Sequence, residues 1–286
     1  MHPILTRYGS FLYFTYTAVM GLGLALALGL AAFEGGRQTS ESGSGEGGLS
    51  RPTVRGLWSV SAGWLDGVII ALLTALVAGR GVFVAANWDY YVDNLDETWL
   101  LWQGGISYHG AVGAGFLVLW LWSRWRGVSF ERLGGMLAMP MVVWTAFGWL
   151  ACLLEGCAYG RETFIGPLSA DLPDSFGVYA VRYQTQLMGL LFSFLALVVL
   201  LWTRRHLRPG TLFWFAVLLL SASRTVVDTF RGDAMPLIAG LRVDLLLDSG
   251  LALIALAAFI TSLTDHARPG VVLQNRPTHT HRPPDT

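Results

Sequence analysis

A histidine lies at the mouth of an apolar segment, in the run 102–110, which reads Trp-Gln-Gly-Gly-Ile-Ser-Tyr-His-Gly. The imidazole of His109 can accept or relay a proton near neutral pH, because its unperturbed pKa is about 6.5. Gly104 and Gly105 would let the backbone approach a ligand closely. The competing interpretation is an interfacial histidine anchored among aromatic residues, with the glycines serving tight helix packing.

Charged residues fall inside other apolar segments. Arg80 follows a glycine within one, while Arg224 and Asp228 lie four residues apart near the end of another. Ionisable residues within membrane spans usually face the bundle interior and mark a site. Arg224 and Asp228 could instead form a structural ion pair on one helix face. Arg231 continues that face, however, and three charges exceed what a single pair needs.

Two further arginines, Arg161 and Arg182, bracket the loop after the fourth apolar segment. With Arg224 and Arg231 they would form a cluster of positive charge at the level of phospholipid headgroups. A guanidinium grips a phosphate through two parallel hydrogen bonds. The sequence therefore predicts a site for a lipid phosphate.

The elements that position these residues are membrane-spanning helices. The 286 residues are 53% hydrophobic and 13% charged, with a mean hydropathy of +0.52. A span needs about 20 apolar residues, and continuous apolar runs favour helices over a β-barrel. The predicted fold is all-α, a polytopic membrane protein with about seven spans: 11–33, 63–86, 108–123, 135–154, 186–202, 211–228 and 243–263. We predict one domain over 1–264, which includes a flexible cytoplasmic linker over 34–56, and a disordered cytoplasmic tail over 265–286.

The distribution of arginine over the loops predicts the orientation. Arginines occur after the first, third and fifth spans and in the tail: Arg37, Arg51, Arg55, Arg124, Arg126, Arg132, Arg204, Arg205, Arg208, Arg268, Arg276 and Arg282. The loop between the second and third spans carries Asp89, Asp93, Asp96 and Glu97 instead. Because cytoplasmic loops are enriched in basic residues, we expect the amino terminus outside and the carboxyl terminus inside.

Two cysteines, Cys152 and Cys157, lie near the outer end of the fourth span. A disulfide between them is one interpretation, but we expect two buried thiols. Their spacing matches no CxxC metal pattern, so no metal is expected.

These motifs, taken in order along the chain, resemble the bacterial prolipoprotein diacylglyceryl transferases. That family moves a diacylglyceryl group from phosphatidylglycerol to the lipobox cysteine of secreted prolipoproteins, forming a thioether. The resemblance covers nearly the whole chain. It rests on Arg7-Tyr8-Gly9, Ala78-Gly79-Arg80, Asn87-Trp88-Asp89-Tyr90-Tyr91, the block 102–110, Pro140, Phe147-Gly148, Gly156, Gly160-Arg161, Arg182, Thr185-Gln186-Leu187, Arg224, Asp228 and Arg231.

The resemblance also implies roles for these residues. His109 would take or relay the proton of the acceptor thiol, and Arg224 would act with it in catalysis. Tyr8 would hydrogen-bond the lipid headgroup or His109. The competing interpretation is that Tyr8 is an interfacial tyrosine without a catalytic role. The implied donor phosphate site uses Arg161, Arg224 and Arg231, with Asp228 orienting Arg224; Arg80, Gly104, Gly105 and Arg182 complete the substrate-binding set.

The implied partners are phosphatidylglycerol, the prolipoprotein lipobox and the bacterial inner membrane, which the protein would cross several times. No nucleic acid is expected to bind. No soluble cofactor is expected, because the donor lipid is itself the cosubstrate.

The chain departs from the family signature Gly-Arg-x-Gly-Asn-Phe-x-Asn-Gly-Glu-x-x-Gly-Arg over 148–161. Trp149 replaces the signature arginine, Cys152 and Glu155 replace the two asparagines, and Cys157 replaces the glutamate. A lost hydrogen bond to a charged group costs about 1.5 to 3 kcal/mol. Lower activity, another lipid headgroup, or a branch in which Glu155 takes over part of the polar network are the open explanations. A non-catalytic protein that binds or transports anionic lipids, and a transferase of the same fold with another acceptor, are the alternatives for the whole chain.

Overall fold

The computed structural model describes residues 4–8, 11–43, 54–101, 104–174 and 177–267. The α-helices are α1 (Thr15–Gly43), α2 (Val54–Ala86), α3 (Trp88–Tyr91), α4 (Tyr108–Arg126), α5 (Phe130–Glu155), α6 (Thr185–Thr203), α7 (Pro209–Asp228) and α8 (Val243–Ala267). The strands form three antiparallel hairpins: β1 (Ile4–Tyr8) with β2 (Phe11–Phe14), β3 (Ser169–Pro173) with β4 (Tyr179–Tyr183), and β5 (Leu237–Ile238) with β6 (Leu241–Arg242). A 3-10 helix covers Leu95–Trp99.

The protein is an all-α polytopic membrane protein, as predicted. In the part of the chain that the structure describes, six helices are long and apolar enough to cross a membrane: Thr15–Arg37, Trp64–Ala86, Phe130–Glu155, Thr185–Thr203, Pro209–Asp228 and Val243–Thr264. The seventh predicted span, 108–123, forms α4 and packs along α2. It is less apolar than the other six because polar residues occupy its two ends.

The bounds of the first helix differ from the prediction. Residues 11–14 form β2 rather than the start of a span, because aromatic residues there favour an extended strand. At its other end, α1 continues to Gly43 through part of the predicted linker, and α2 begins at Val54. Within this continuation, the carboxylate of Glu34 lies 3.0 Å from Arg204 Nη1 and ties α1 to the end of α6. Residues 44–53 and the tail from 268 onward lie outside the described residues.

Helix α5 forms the centre of the bundle. One face packs with α1 and α2 in a cluster that includes Trp64 and Leu133, and another packs with α6 and α7 around Val142 and Leu200. Small residues allow the close approach, because a side chain at Gly135 would clash with the first residue of α7. The central helix therefore fixes the positions of α1, α6 and α7.

The remaining helices pair at the edges of the bundle, α2 with α4 and α7 with α8. Gly79 and Gly110 permit close packing of α2 and α4, because a Cβ at either would clash with residues of the other segment. The helices alternate in direction, so the last turns of α2, α5 and α7 meet the first turns of α4, α6 and α8 at one end. This end carries the β3–β4 and β5–β6 hairpins and the charged residues of the predicted site.

Candidate active site

The loop that leads into α4 is held by Arg80, a buried arginine of α2. Its Nε donates to Thr98 O at 2.8 Å, Nη2 donates to Glu97 O at 2.6 Å, and Nη1 donates to Gly104 O at 2.7 Å and Gly105 O at 3.1 Å. Arg80 therefore fixes the backbone that presents His109. The prediction that it also contacts a lipid phosphate stays a prediction.

Glycine is found at two positions of this loop for different structural reasons. Both adopt a left-handed backbone, with φ of +85° at Gly104 and +74° at Gly105. A side chain at Gly105 would in addition meet Phe83 at 2.6 Å and Arg80 Nη1 at 2.7 Å, so this glycine is required by packing within the protein. Gly104 is exposed with open space beside it. Only Gly104 is therefore placed to let a ligand come close.

His109 lies in the first turn of α4 beside a buried carboxylate of α8. Its Nε2 is 3.2 Å from Asp248 Oδ1, an ion-pair distance when the ring carries a second proton. The same carboxylate also accepts from Arg224 Nε, at 3.3 Å for Oδ1 and 3.2 Å for Oδ2. Asp248 thus joins the predicted proton acceptor to the predicted phosphate-binding arginine.

Two aromatic rings hold the guanidinium of Arg224 in place. Its Cζ lies 3.7 Å from the centre of the Tyr108 ring and 5.8 Å from that of Trp149, within the range of cation–π attraction. Among the residues that the structure describes, Nη1 and Nη2 of Arg224 have no hydrogen-bond partner. Trp149, at the signature-arginine position, therefore packs against an arginine whose terminal nitrogens remain able to bind an anion.

Asp228 is predicted to orient Arg224, but the structure pairs each of these two residues with another partner. Arg224 pairs with Asp248, and Asp228 accepts from Arg231 Nη1 at 3.0 Å instead. The local i, i+4 spacing suggested the first pairing. Helix α8, however, brings a second buried carboxylate closer to Arg224 than its own helix does.

Arg231 is surrounded by carboxylates. Besides Asp228, it binds Asp233 through Nε at 2.9 Å and Nη2 at 2.6 Å, and its Nη1 lies 3.3 Å from Asp244 Oδ2. Arg242 joins the same two aspartates, with Nη2 at 2.8 Å from Asp244 and 3.2 Å from Asp233. Each nitrogen of Arg231 therefore already faces a carboxylate of the protein. The prediction that it binds the donor phosphate stays a prediction.

The electrostatics of Arg231 and Arg242 agree with their geometry. Burial disfavours the charge of both guanidinium groups, but hydrogen bonds and Coulombic attraction from neighbouring carboxylates outweigh it and raise the pKa of each. For Arg231 the strongest partner is Asp233, and for Arg242 it is Asp244. Both stay charged at any pH the protein meets.

Backbone contacts join the loop after α5 to the loop after α7. Arg161 N donates to Phe230 O and Gly232 N donates to Tyr159 O, each at 2.9 Å. A Cβ at Gly160 would clash with the carbonyl of Tyr183, and one at Gly232 would lie 2.6 Å from the Cα of Arg161, so both positions require glycine. The exposed Arg161 side chain stacks on Tyr183 and Phe230, at 5.6 Å and 5.9 Å.

Arg182, by contrast, is buried in this loop region. Its Nη2 lies 3.1 Å from Glu162 Oε1 and 3.5 Å from Asp174 Oδ2, and its Cζ lies 5.1 Å from the centre of the Tyr159 ring. These contacts make it a structural residue of the β3–β4 hairpin. Its predicted contact with substrate remains a prediction.

The expectation of two free thiols is wrong, because Cys152 and Cys157 form a disulfide. The αL conformation of Gly156 at the end of α5 turns the chain back and brings the two cysteines together. The first residues of α6 hold the same turn, since Thr185 Oγ1 donates to Ala158 O at 2.7 Å and Gln186 Nε2 donates to Cys157 O at 2.8 Å. A covalent bond and two side-chain hydrogen bonds therefore hold the turn between α5 and the Gly160–Arg161 segment.

Tyr8 is the last residue of β1, paired in register with Phe11. Its side chain lies outside the described residues, and its catalytic role stays a prediction.

Several charged residues of the site escaped prediction from sequence. Asp233, Arg242, Asp244 and Asp248 were not predicted, although they surround Arg224 and Arg231. A usable signal was present for two of them. Asp244 and Asp248 are carboxylates in the first turns of an apolar helix, where the rule for ionisable residues within spans applies.

Comparison with known proteins shows the family of the chain. The prolipoprotein diacylglyceryl transferase family matches residues 3–261. Proteins named phosphatidylglycerol–prolipoprotein diacylglyceryl transferase from Bacillus licheniformis and Bacillus cereus strain 03BB102 are each 28% identical, over 85% and 90% of this chain and 86% and 90% of their own length. One from Geobacillus kaustophilus is 27% identical over 86% of both chains. The chain belongs to the prolipoprotein diacylglyceryl transferase family.

Proposed function

We propose that this protein transfers a diacylglyceryl group from phosphatidylglycerol to the cysteine thiol of a prolipoprotein lipobox. Its family and the names of its relatives support the reaction class. The observation that carries the proposal is that Asp248 contacts both His109 and Arg224. The terminal nitrogens of Arg224 have no hydrogen-bond partner among the described residues. One group can move a proton and the other can bind an anion.

The reaction needs a thiolate and a stabilised leaving group. His109 takes the proton of the acceptor thiol, because the thiolate is the nucleophile. The sulfur attacks the glyceryl carbon that bears the phosphate ester, a carbon–sulfur bond forms, and the carbon–oxygen bond breaks. Glycerol phosphate leaves with the bonding electron pair, and the Nη atoms of Arg224 stabilise its growing charge.

The phosphate-binding set differs from the one that the resemblance implied. Arg224 is the principal ligand, because Arg231 faces three carboxylates. Arg161 contributes from the loop surface, where its guanidinium has no carboxylate partner within the described part of the chain. Gly104 leaves room for the headgroup at the entrance to α4.

The protein crosses the membrane several times. We place it in the inner membrane of a bacterium with its amino terminus outside, because the loops after the first, third and fifth predicted spans each carry three arginines. In this orientation the site end faces the outer side, where a secreted prolipoprotein emerges.

The test is transfer of labelled diacylglyceryl from phosphatidylglycerol to a lipobox cysteine peptide by the purified protein. We expect His109→Gln to abolish transfer, since the thiol loses its proton acceptor. His206→Gln is the matched control, because His206 is exposed at the other end of the bundle, and it should retain activity. Lipid binding without turnover by folded wild-type protein would favour the binding or transport alternative, and turnover with another acceptor only would favour a different transferase.

A further inference from the structure

Asp248 is fully buried in α8, one turn after Asp244, and it contacts groups from two other helices. His109 approaches one of its oxygens from α4, and Arg224 binds both of its oxygens from α7. Burying a charged carboxylate is energetically costly unless cationic groups lie next to it. For Asp248, Arg224 and a protonated His109 are those groups. Its place between them gives it a part in the reaction beyond holding the helices together.

Asp248 lies in a cluster of charged side chains at this end of the bundle. The cluster at this end holds four aspartates and three arginines: Asp228, Asp233, Asp244 and Asp248 with Arg224, Arg231 and Arg242. The groups that face Asp248 itself are His109, Arg224 and Asp228, with Tyr108 stacked over Arg224.

We propose that Asp248 is a positioning residue that stabilises the imidazolium of His109 and aims Arg224 at the lipid phosphate. The inference rests on the proposed function. When His109 takes the thiol proton, the new positive charge lies 3.2 Å from Asp248 Oδ1. The same carboxylate binds Arg224 through Nε, which leaves Nη1 and Nη2 available to the lipid phosphate. One side chain thereby fixes the base and the anion-binding group relative to each other.

The direct test is titration of His109 by NMR, with histidine-labelled protein and His109→Gln to assign its signal. Asp248→Asn keeps the shape of the side chain but removes its charge. We expect the titration midpoint of His109 to fall by about one pH unit or more, because the nearby negative charge no longer favours the protonated ring. Asp248→Glu, which restores the carboxylate, should bring the midpoint back toward the wild-type value.

The kinetic test uses the same variants in the transfer assay. In Asp248→Asn, kcat should fall by about 100-fold, in the range of general-base contributions, with a smaller change in KM for phosphatidylglycerol. The acid limb of the pH profile should move to lower pH together with the NMR midpoint. Asp171→Asn is the matched control, since Asp171 is exposed on β3.

An unchanged midpoint and an unchanged pH profile in folded Asp248→Asn would overturn the inference, even if KM rose. Failure of the proposed function gives a different result: wild-type protein would not transfer the group, while the midpoint would still depend on Asp248. The NMR titration therefore separates the two.

Discussion

Arg224 lies near the end of α7 and Arg231 just beyond it, yet the two side chains differ in how many carboxylates surround them. Arg231 faces Asp228, Asp233 and Asp244, so each of its nitrogens has a carboxylate partner. Arg224 has one carboxylate, Asp248, and its terminal nitrogens are unpaired within the described residues. The number of arginines near a membrane surface therefore does not give the number of anion-binding groups.

The difference arises from the elements that pack around each arginine. Arg231 lies beyond α7, where the following loop supplies Asp233 and the first turn of α8 supplies Asp244. Arg224 lies one turn deeper than Asp228, where aromatic faces of Tyr108 and Trp149 replace further carboxylates. An aromatic face holds a guanidinium without using its N–H donors, and this leaves them for a ligand.

The largest effect is expected from Arg231→Gln. Removing this charge leaves the buried carboxylate of Asp228 without its cation, whereas Asp244 keeps Arg242. Breaking a buried pair in this way costs about 3–5 kcal/mol. We expect a lower unfolding temperature in detergent and little change in KM for phosphatidylglycerol in the protein that remains folded. Arg205→Gln, at an exposed position after α6, is the control. A stable variant with a raised KM would assign Arg231 to the lipid instead.

Arg224→Gln should act mainly on the reaction. Loss of hydrogen bonds to a charged phosphate is worth about 1.5–3 kcal/mol, or roughly 10- to 150-fold in kcat/KM. Arg224→Lys keeps the charge but not the two parallel donors, so it should recover only part of the loss. Steady-state kinetics with phosphatidylglycerol vesicles measures both. Equal activity of the lysine variant and the wild type would argue against a paired contact with phosphate.

The smallest effect is expected from Arg161→Gln. The guanidinium is exposed, and exposed ion pairs contribute about 1 kcal/mol or less, so kcat/KM should fall by about five-fold at most. The loss should shrink at high ionic strength, because salt screens exposed charges. Kinetics at two salt concentrations tests this. A loss as large as that of Arg224→Gln, independent of salt, would place Arg161 inside the phosphate site.

The sequence was sufficient to predict the helical membrane fold and the end of the bundle that carries the site. Charges in apolar segments are costly, so Arg224 and the histidine of α4 could be identified from residue types alone. Their partners could not, because Asp248 reaches Arg224 through the packing of α7 against α8. The spacing of residues on one helix predicted Asp228 as the partner of Arg224. The packing of α7 against α8 instead gives Arg224 the partner Asp248.

The short hairpins and the contacts of Arg80 and Arg182 also could not be predicted from the sequence. Both arginines were predicted to meet substrate, since a charge near a span suggests a ligand. The structure gives Arg80 four backbone carbonyls and Arg182 two carboxylates. Which acceptors fold back onto a charged side chain depends on loop conformation, which residue types alone do not encode.

If the proposed orientation holds, the Cys152–Cys157 disulfide would link maturation of this protein to its insertion. Disulfides form and persist in oxidising compartments and are rare where cytosolic thiols are kept reduced. The bond closes the turn that joins the end of α5 to the Gly160–Arg161 segment. With the proposed orientation, in which the amino terminus is outside, the disulfide would form only after α5 has carried this turn across the membrane. A chain inserted the wrong way round would keep both thiols, and its bonding state would distinguish it from a correctly inserted one.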